Sequence, residues 1–381
     1  MQCPICGSEN HDRIFRLCDN MKILGKSLPD KEAYVAACNE CGLVFTDTIA
    51  TQENFLSYYK YGAVSPKYYD MFGTDETNHY FEHILSIISS FIANNGKIYD
   101  VAGAWGELDK FLSDKGFNDI IVIDPNENCI KTAKNKGLSV SQCSSSDMNE
   151  RLHEKCDMII LNHTLEHILD VKSAFENMDR LLKDNGYIFI EVPNALSYVD
   201  EDAAPFNFLT YEHVLHLTMH DLENLAALYG YEICAKGEYY KKVSNYPSVY
   251  VVFNKTGRKG TITYSDLAKN KVMQYIDKSK KSIEAFIKPL RESGEPLILW
   301  GIGASTAILI DSFADCNVVA LIDRNPMRQG LQFEIGDNLI AVQDPDTVKK
   351  GTIVILSIPY HASIEKQIRD SGLKNKIVTL A

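Results

Sequence analysis

The sequence predicts an α/β protein in which a small cysteine-rich lobe is followed by two domains of alternating strands and helices. Two Cys-x-x-Cys pairs lie near the start, one glycine-rich turn lies at 102–106, and a second lies at 301–305. Each turn follows a short apolar segment and precedes a helical pattern. This order is typical of doubly wound, mostly parallel sheets.

Composition limits the possible classes of function. The chain has 381 residues, 45% of them hydrophobic, so it can form two or three domains with buried cores. Its net charge of −12 gives no general electrostatic reason to bind nucleic acid or anionic lipid. No apolar run approaches the roughly 20 residues of a membrane helix, and the start lacks a signal-peptide pattern. Since only four of the ten cysteines are regularly spaced, we expect a protein of the reducing cytoplasm. We also expect either a monomer or a homodimer.

The regularly spaced cysteines predict a structural zinc site. Each pair is followed by a glycine, Gly7 or Gly42, which permits a tight turn. The four predicted ligands are Cys3, Cys6, Cys38 and Cys41. Four thiolates close a tetrahedral site, as zinc prefers when it is structural rather than catalytic. The alternative is spare thiols or a transient disulfide. The segment between the pairs is expected to form a small hairpin lobe held together by the metal.

The first glycine-rich turn predicts a cofactor loop. A strand at 97–101 runs into the turn, and a helical pattern with Leu108 and Leu112 follows. A second buried strand ends at Asp124, 21 residues after Gly103, the spacing at which a carboxylate meets ribose hydroxyls. Further strands are expected at 157–162 and, after an Asp-Asn-Gly turn, at 187–192. The candidate cofactor residues are Asp100, Gly103, Ala104, Gly106, Asp124, Asp147 and Asn162.

Two histidine-containing segments follow in the chain. His163-Thr-Leu-Glu166-His167 fits an inverted metalloprotease pattern. It directly follows a central strand and has no third ligand in a recognisable motif, so structural or substrate-side roles are favoured. The second segment, 208–216, contains Glu212-His213 after Tyr211. A neutral histidine beside a carboxylate is a suitable general base near neutral pH, although simple packing of His213 is equally compatible with the residues.

Over roughly 80–255, this order of signals resembles the class I S-adenosylmethionine-dependent methyltransferases. The resemblance implies that the first glycine loop faces the methionine part of the cofactor. It also implies that Asp124 binds the ribose and that Asp147 lies near the adenine.

Taken with the cysteine pairs and Gly301-Ile-Gly-Ala-Ser305, Glu212-His213 gives a narrower resemblance over nearly the whole chain. The chain resembles the sugar C-methyltransferases that alkylate C-3′ of dTDP-linked 4-keto-deoxysugars. This implies that His213 is the base and that Glu212 assists it. In that family one residue separates a tyrosine from the Glu-His pair, whereas here Tyr211 directly precedes the pair. Tyr211 is the third catalytic candidate. Substrate-side candidates in the first domain are Tyr59, Tyr61 and His167.

The last part of the chain predicts a Rossmann-like domain. A helix is expected at 262–293, followed by strands at 297–300, 318–323 and 352–357. Asp323 lies 20 residues after Gly303, again the ribose spacing. A dinucleotide site is the alternative, but the third glycine is replaced by Thr306, so a substrate-binding role is favoured. Its candidate residues are Gly303, Ser305, Asp323 and Arg324, and His361 with the preceding Pro-Tyr is a weaker candidate.

The expected organisation is a zinc lobe at 1–55, a methyltransferase domain at 56–258, a connecting helix at 259–293 and a substrate-binding domain at 294–381. The expected activity is methyl transfer from S-adenosylmethionine to carbon in a nucleotide-linked keto-deoxysugar. His213 would form an enolate by removing a proton. O- or N-methylation, a non-catalytic binding protein and a dehydrogenase are the alternatives.

Overall fold

The computed structural model describes residues 1–18, 33–61, 74–201, 204–241, 246–303, 308–326, 328–348, 350–357 and 361–380. The chain divides into two compact units. The first unit consists of Met1–Arg13, Ala36–Glu201 and Glu212–Val272, and the second consists of Ile14–Val35, Asp202–Tyr211 and Met273–Ala381. Because each unit contains a largely parallel sheet flanked by helices, the predicted α/β class is confirmed.

The cysteine-rich lobe contains a four-stranded sheet with the order β1-β2-β3-β9. Its strands are β1 (His11–Cys18), β2 (Ala33–Cys38), β3 (Val44–Asp47) and β9 (Leu215–His216). Strand β9 comes from much later in the chain, and its His216 pairs antiparallel with Val44 of β3. The helices α1 (Gln52–Tyr61) and α2 (Asp75–Ile88) follow the lobe. The sheet thus fixes a late segment of the chain beside the lobe.

The main sheet of the first unit has seven strands in the order β10-β11-β8-β7-β4-β5-β6. Its strands are β4 (Ile98–Val101), β5 (Ile120–Ile123), β6 (Ser139–Ser141), β7 (Cys156–Asn162), β8 (Leu182–Pro193), β10 (Tyr231–Lys241) and β11 (Tyr246–Lys255). Strands β6, β5, β4, β7 and β8 are parallel, whereas β11 and β10 continue the sheet antiparallel. The chain order reverses at β4. Open α/β sheets bind ligands at the carboxyl ends of strands beside such a reversal.

The connections of this sheet are helical, as the alternating pattern predicts. The helices are α3 (Glu107–Asp114), α4 (Glu127–Asn135), α5 (Met148–Arg151), α6 (Val171–Leu181) and α7 (Met219–Tyr229). Buried side chains of α2 and α3, including Ile84 and Leu112, pack with Ile98, Met158 and Phe189 of the strands. A capping box between Thr218 and Asp221 begins α7, which ends at a left-handed Gly230.

Two expected boundaries differ from the structure. Strand β8 begins at Leu182 rather than after the Asp-Asn-Gly turn, because Leu182 already pairs with Cys156 of β7. The turn residue Asn185, with a φ of 61°, lies within the strand as an irregularity. Helix α8 spans Leu267–Ser293 and so starts five residues later than expected from 262. Among the described residues, no helix is both long and apolar enough to span a bilayer.

The second unit contains a six-stranded sheet with the order β14-β15-β13-β12-β16-β17. Its strands are β12 (Leu297–Trp300), β13 (Val318–Ile322), β14 (Gln332–Ile335), β15 (Asn338–Gln343), β16 (Thr352–Ile355) and β17 (Ile377–Thr379). Strand β12 pairs in parallel with both β13 and β16, while β14 and β15 form an antiparallel hairpin. Helix α9 (His361–Asp370) packs Ile368 against this sheet. The predicted second Rossmann-like domain is therefore present.

Candidate active site

The turn between β4 and α3 is shaped by left-handed backbone conformations. Ala102, Ala104 and Gly106 have φ values of 60°, 47° and 72°. The two alanines thus adopt a conformation that favours glycine, a strain that clusters at ligand-binding loops. Gly103 is required for space, because a Cβ atom there would lie 2.7 Å from Oδ2 of Asp100. The loop therefore passes directly over the Asp100 carboxyl group.

Asp124 lies just after β5, beside the same loop. Its Oδ2 accepts a hydrogen bond from the backbone N–H of Ala104 at 3.2 Å, and its Oδ1 accepts one from Asn126 at 2.7 Å. Burial raises the pKa of Asp124 to about 6, in spite of these two stabilising bonds. The structure brings this carboxylate to the loop, as the spacing predicts for a residue that binds ribose.

Two further candidates for cofactor binding lie at the ends of neighbouring segments of the same unit. Asp147 precedes α5, and its Oδ1 accepts hydrogen bonds from the backbone N–H and hydroxyl of Ser144 at 2.7 and 2.6 Å. Asn162 ends β7, and its Oδ1 accepts a hydrogen bond from the Tyr80 hydroxyl at 2.5 Å. Both side chains stabilise their local structure, and their contact with a cofactor stays a prediction.

Glu212 contacts several segments of the chain on the side where the methyl-accepting substrate is predicted to bind, which we call the acceptor side. Its carboxylate accepts a hydrogen bond from the hydroxyl of Tyr58 in α1. Its backbone carbonyl oxygen lies 2.8 Å from Nδ1 of His167, and the Tyr59 hydroxyl lies 3.1 Å from the same nitrogen. A carbonyl oxygen only accepts hydrogen bonds, so Nδ1 of His167 is the donor in this contact. The contact fixes the orientation of the His167 ring.

His213 lies next to this arrangement and is partly buried. Its ring centroid is 4.9 Å from that of His167, and the two rings are inclined at 71°. Burial, with smaller contributions from neighbouring histidines, holds the pKa of His213 well below its usual range. Its backbone carbonyl accepts a hydrogen bond from the Thr46 hydroxyl of β3 at 3.2 Å. His213 is therefore a neutral imidazole at neutral pH, held by its backbone to the cysteine-rich lobe.

A buried carboxylate, Glu166, lies between the two histidines of the inverted metalloprotease pattern. The side chain is 1% exposed, and Oε1 lies 3.4 Å from Nδ1 of His163 and 3.9 Å from Nε2 of His167. Leu165–His167 is a short 3-10 turn and His163 has a φ of 51°, so the pattern does not lie on an α-helix. Instead, ligand atoms of Glu166, His167 and His213 lie within 4.8 Å of one another. Two imidazoles and a carboxylate in this arrangement can hold a divalent cation.

The remaining first-domain candidates are placed differently. Tyr211 is 2% exposed and belongs to the second compact unit, whose boundary falls directly before Glu212. The backbone of Tyr61 ends α1, but its side chain lies outside the described residues. Of the two tyrosines that are candidates for substrate binding, Tyr59 contacts His167. Its contact with a substrate stays a prediction.

The second unit places its predicted residues around the end of β12. Gly301 has a φ of 87°, whereas Ser305 lies outside the described residues. Asp323 directly follows β13 and accepts a hydrogen bond from the Arg328 guanidinium at 3.0 Å. A Cβ atom on Gly303 would lie 3.4 Å from the same guanidinium. Arg324 is exposed. Asp323 and Arg328 therefore form a charged pair beside the glycine turn.

The four predicted zinc ligands form one cluster. Sγ of Cys3 lies 3.6 Å from that of Cys41, and Sγ of Cys6 lies 3.5 Å from that of Cys38. All four sulfur atoms lie within 4.8 Å of one another. This donor set fits a closed tetrahedral ion and leaves no open position for water. The backbone turns at Gly7 and Gly42, with φ values of 73° and 87°, bring the thiols together.

Four residues of these sites are missing from the sequence-based candidates. Tyr58 is adjacent to Tyr59, but only the fold brings it to Glu212, 154 positions later. Glu166 lies inside the inverted metalloprotease pattern, for which the sequence analysis favours structural or substrate-side roles of the histidines. Asp109 is fully buried in α3, and Arg328 lies five residues after Asp323. A charged residue within an apolar helical pattern was the available signal for Asp109.

Residues 76–236 match a family model described as a methyltransferase domain. The match includes the glycine-rich turn at 102–106, which we call the donor loop, and the strands and helices around it. It confirms the coarser prediction that this part of the chain is a methyltransferase domain and that the chain is an enzyme. The comparison with curated proteins gives no match.

Solved structures with a similar fold align with about half of the chain. They include the PH0226 protein from Pyrococcus horikoshii OT3, with 17% identity, a TM-score of 0.40, and coverage of 51% of this chain and 100% of that protein. The N-methyltransferase NodS from Bradyrhizobium japonicum WM9, in complex with S-adenosyl-L-homocysteine, has 13% identity, a TM-score of 0.41 and coverage of 52% and 96%. At such low identity and TM-scores, no property of these proteins is transferred to this chain.

Loss of one cysteine should release the metal. We expect Cys38→Ser to lower bound zinc from about one ion per chain and to loosen the cysteine-rich lobe, because three thiolates no longer close the site. Elemental analysis and limited proteolysis measure both effects. Cys316→Ser, at a partly buried thiol outside the cluster, is the matched control and should retain zinc. If wild-type protein purified under reducing conditions contains no zinc, the assignment of this site is wrong.

The two glycine turns can be distinguished by their acids. Asp124→Ala should weaken S-adenosylmethionine binding by about 1.5–3 kcal/mol, the size of a charge-assisted hydrogen bond. Asp323→Ala should leave donor affinity unchanged. Titration calorimetry measures both variants. An unchanged affinity in Asp124→Ala, or an equal loss in Asp323→Ala, would place the donor elsewhere.

Proposed function

We propose that this enzyme transfers a methyl group to a carbon atom beside the keto group of a nucleotide-linked deoxysugar, with His213 as the base. The observation that supports this best is the packing of the His213 ring against His167, whose Nδ1 contacts the Glu212 carbonyl. A carbon acid needs a base that is unprotonated at neutral pH, and the lowered pKa of His213 provides one.

The donor would be held by the loop over Asp100 and by Asp124. When bound, S-adenosylmethionine supplies an activated methyl group whose former bonding electron pair stays on sulfur. The chain's own contribution is alignment, because the strained loop and Asp124 fix one side of the reaction and the Glu212-His213 segment fixes the other. Proposed roles for Asp147 and Asn162 are on the donor side.

On the acceptor side, the keto group acidifies the neighbouring C–H bond. His213 takes that proton on a ring nitrogen, and the bonding electrons form an enolate. The enolate carbon forms the new C–C bond, and the proton passes from His213 to solvent. The Nε2 side of His167, whose ring is oriented by the Glu212 carbonyl, is proposed to face a substrate hydroxyl. Glu212 positions His213 indirectly, because it is held by Tyr58 and by His167.

The second unit, taken by itself, is proposed to bind a nucleotide group. The Arg328 guanidinium next to Gly303 and Asp323 provides a cation for a phosphate and a carboxylate for ribose hydroxyls. Cys3, Cys6, Cys38 and Cys41 would hold zinc, whose role is to stabilise the lobe.

A second candidate is metal-assisted methylation of a hydroxyl or amine. It is favoured by the ligand atoms of Glu166, His167 and His213, which lie within 4.8 Å of one another. In that case His213 would bind a divalent cation instead of removing a proton. A strict requirement for added Mg²⁺ or Mn²⁺ by the zinc-loaded enzyme, together with an O- or N-methyl product, would favour this candidate.

Removal of the imidazole should affect turnover and not donor binding. His213→Asn is expected to lower kcat by about 10²–10⁴-fold, the usual contribution of one general base, with an unchanged donor Kd. His220→Asn is the matched control, since this histidine of α7 bonds to Thr263 and has no proposed role. Steady-state kinetics and calorimetry give the two readouts. A variant with nearly full kcat would exclude His213 as the base.

The atom that receives the methyl group can be identified directly. A substrate deuterated at the target carbon should lose that deuterium to solvent, and the product should keep its free hydroxyls. Mass spectrometry and NMR of the product measure both. Retained deuterium or a methyl ether would show that the reaction is not C-methylation.

A further inference from the structure

Two carboxyl groups are buried together beneath the donor loop. Asp100 of β4 is 3% exposed and Asp109 of α3 is 0% exposed. Asp109 adds to the burial that raises the pKa of Asp100, so the two carboxyl groups lie close enough to interact. Neither carboxyl oxygen of Asp109 has a hydrogen-bond partner among the described residues. Two like charges placed together in the interior are costly, which favours a protonated form of one of the two groups.

The surrounding charges do not neutralise this pair. Asp124 faces it from the end of β5 and adds negative charge. Lys136, after α4, is the cation that acts on Asp109, but its Nζ bonds to Glu107 Oε1 at 2.5 Å and to the Trp105 carbonyl at 2.9 Å. A buried pair of like charges without a bound cation is costly, and retaining a proton removes that cost.

We propose that Asp100 and Asp109 share one proton while the donor loop is empty, and that binding of the cationic donor displaces this proton. Affinity for the donor should then rise with pH. The proposal rests on donor binding at this loop, which is part of the proposed function. Asp109 is thus a positioning residue that acts through Asp100.

The physical link is the closeness of Asp100 to the loop. A Cβ atom on Gly103 would lie 2.7 Å from Oδ2 of Asp100, so this carboxyl group lies directly against the loop backbone. S-adenosylmethionine carries an ammonium and a sulfonium group. A cation held there favours the carboxylate form of Asp100 and weakens the hold of the pair on its proton.

The direction of the pH effect follows from burial. Burial raises the pKa of Asp109 to about 7 and that of Asp100 well above its usual range. The folded protein therefore binds this proton more tightly than the unfolded chain does. The contribution to stability is present at low pH and is lost as pH rises past the folded pKa. A bound cation offsets this loss, so donor binding is coupled to proton release near neutral pH.

Calorimetric titration with S-adenosylmethionine at pH 7, in two buffers of different ionisation enthalpy, measures the released proton. The wild type should release roughly 0.3–1 proton more than Asp109→Asn, whose amide has a similar shape and does not titrate. Between pH 6.5 and 8, the affinity ratio of wild type to variant should rise by up to about tenfold per pH unit. Titration of the ligand's own ammonium group is common to both proteins and cancels in the difference.

Asp114→Asn, at an exposed carboxylate of the same helix, is the control and should behave as the wild type does. Equal proton release by wild type and Asp109→Asn would overturn the proposal. If the variant does not fold, wild-type affinity that is independent of pH overturns it alone. Absence of donor binding would refute the proposed function as well, whereas proton release without methylation of a keto sugar would refute only the proposed function.

Discussion

The hydrogen bond between Nδ1 of His167 and the carbonyl of Glu212 is the contact on which the acceptor side depends. It joins the turn after β7 to the segment that leads into β9. Thr46 holds the next carbonyl, that of His213, and Val44 pairs with His216. Both come from β3, which begins three residues after Cys41. A structural metal in the cysteine-rich lobe would therefore support the position of the base, although the metal takes no part in the chemistry.

The donor side depends on electrostatics as much as on shape. Asp100, Asp109 and Asp124 are all buried near one short loop, and desolvation raises the pKa of each. Such a site is poorly satisfied when empty and favours a cationic ligand. The left-handed alanines of the loop store strain at the same place. Binding energy of the donor can compensate both costs, which is consistent with a loop built for a positively charged cofactor.

The sequence predicts the central strands of both large sheets, β4, β5, β7 and β8 in one and β12, β13 and β16 in the other. Central parallel strands are buried on both faces and appear as continuous apolar runs, whereas the remaining strands of the two sheets are missing from the prediction. The sequence also predicts Asp124 and the four cysteines, whose roles depend on local spacing. Contacts such as Tyr58 with Glu212 are set by tertiary packing, and the left-handed Ala102 and Ala104 contradict local preference. The β14–β15 hairpin is missing from the sequence-based prediction, although its alternating pattern around Gly336-Asp337 was the available signal.

If His213 removes a proton from carbon, the enzyme should also exchange that hydrogen with solvent when methyl transfer is blocked. A nucleotide-linked 4-keto-deoxysugar is incubated with enzyme and S-adenosylhomocysteine in D₂O, and the target C–H signal is followed by proton NMR. The wild type should exchange this hydrogen for deuterium without methyl transfer, and His213→Asn should not exceed the enzyme-free rate. Exchange by the variant at the wild-type rate, or methylation by a wild type that never catalyses exchange, would contradict the account.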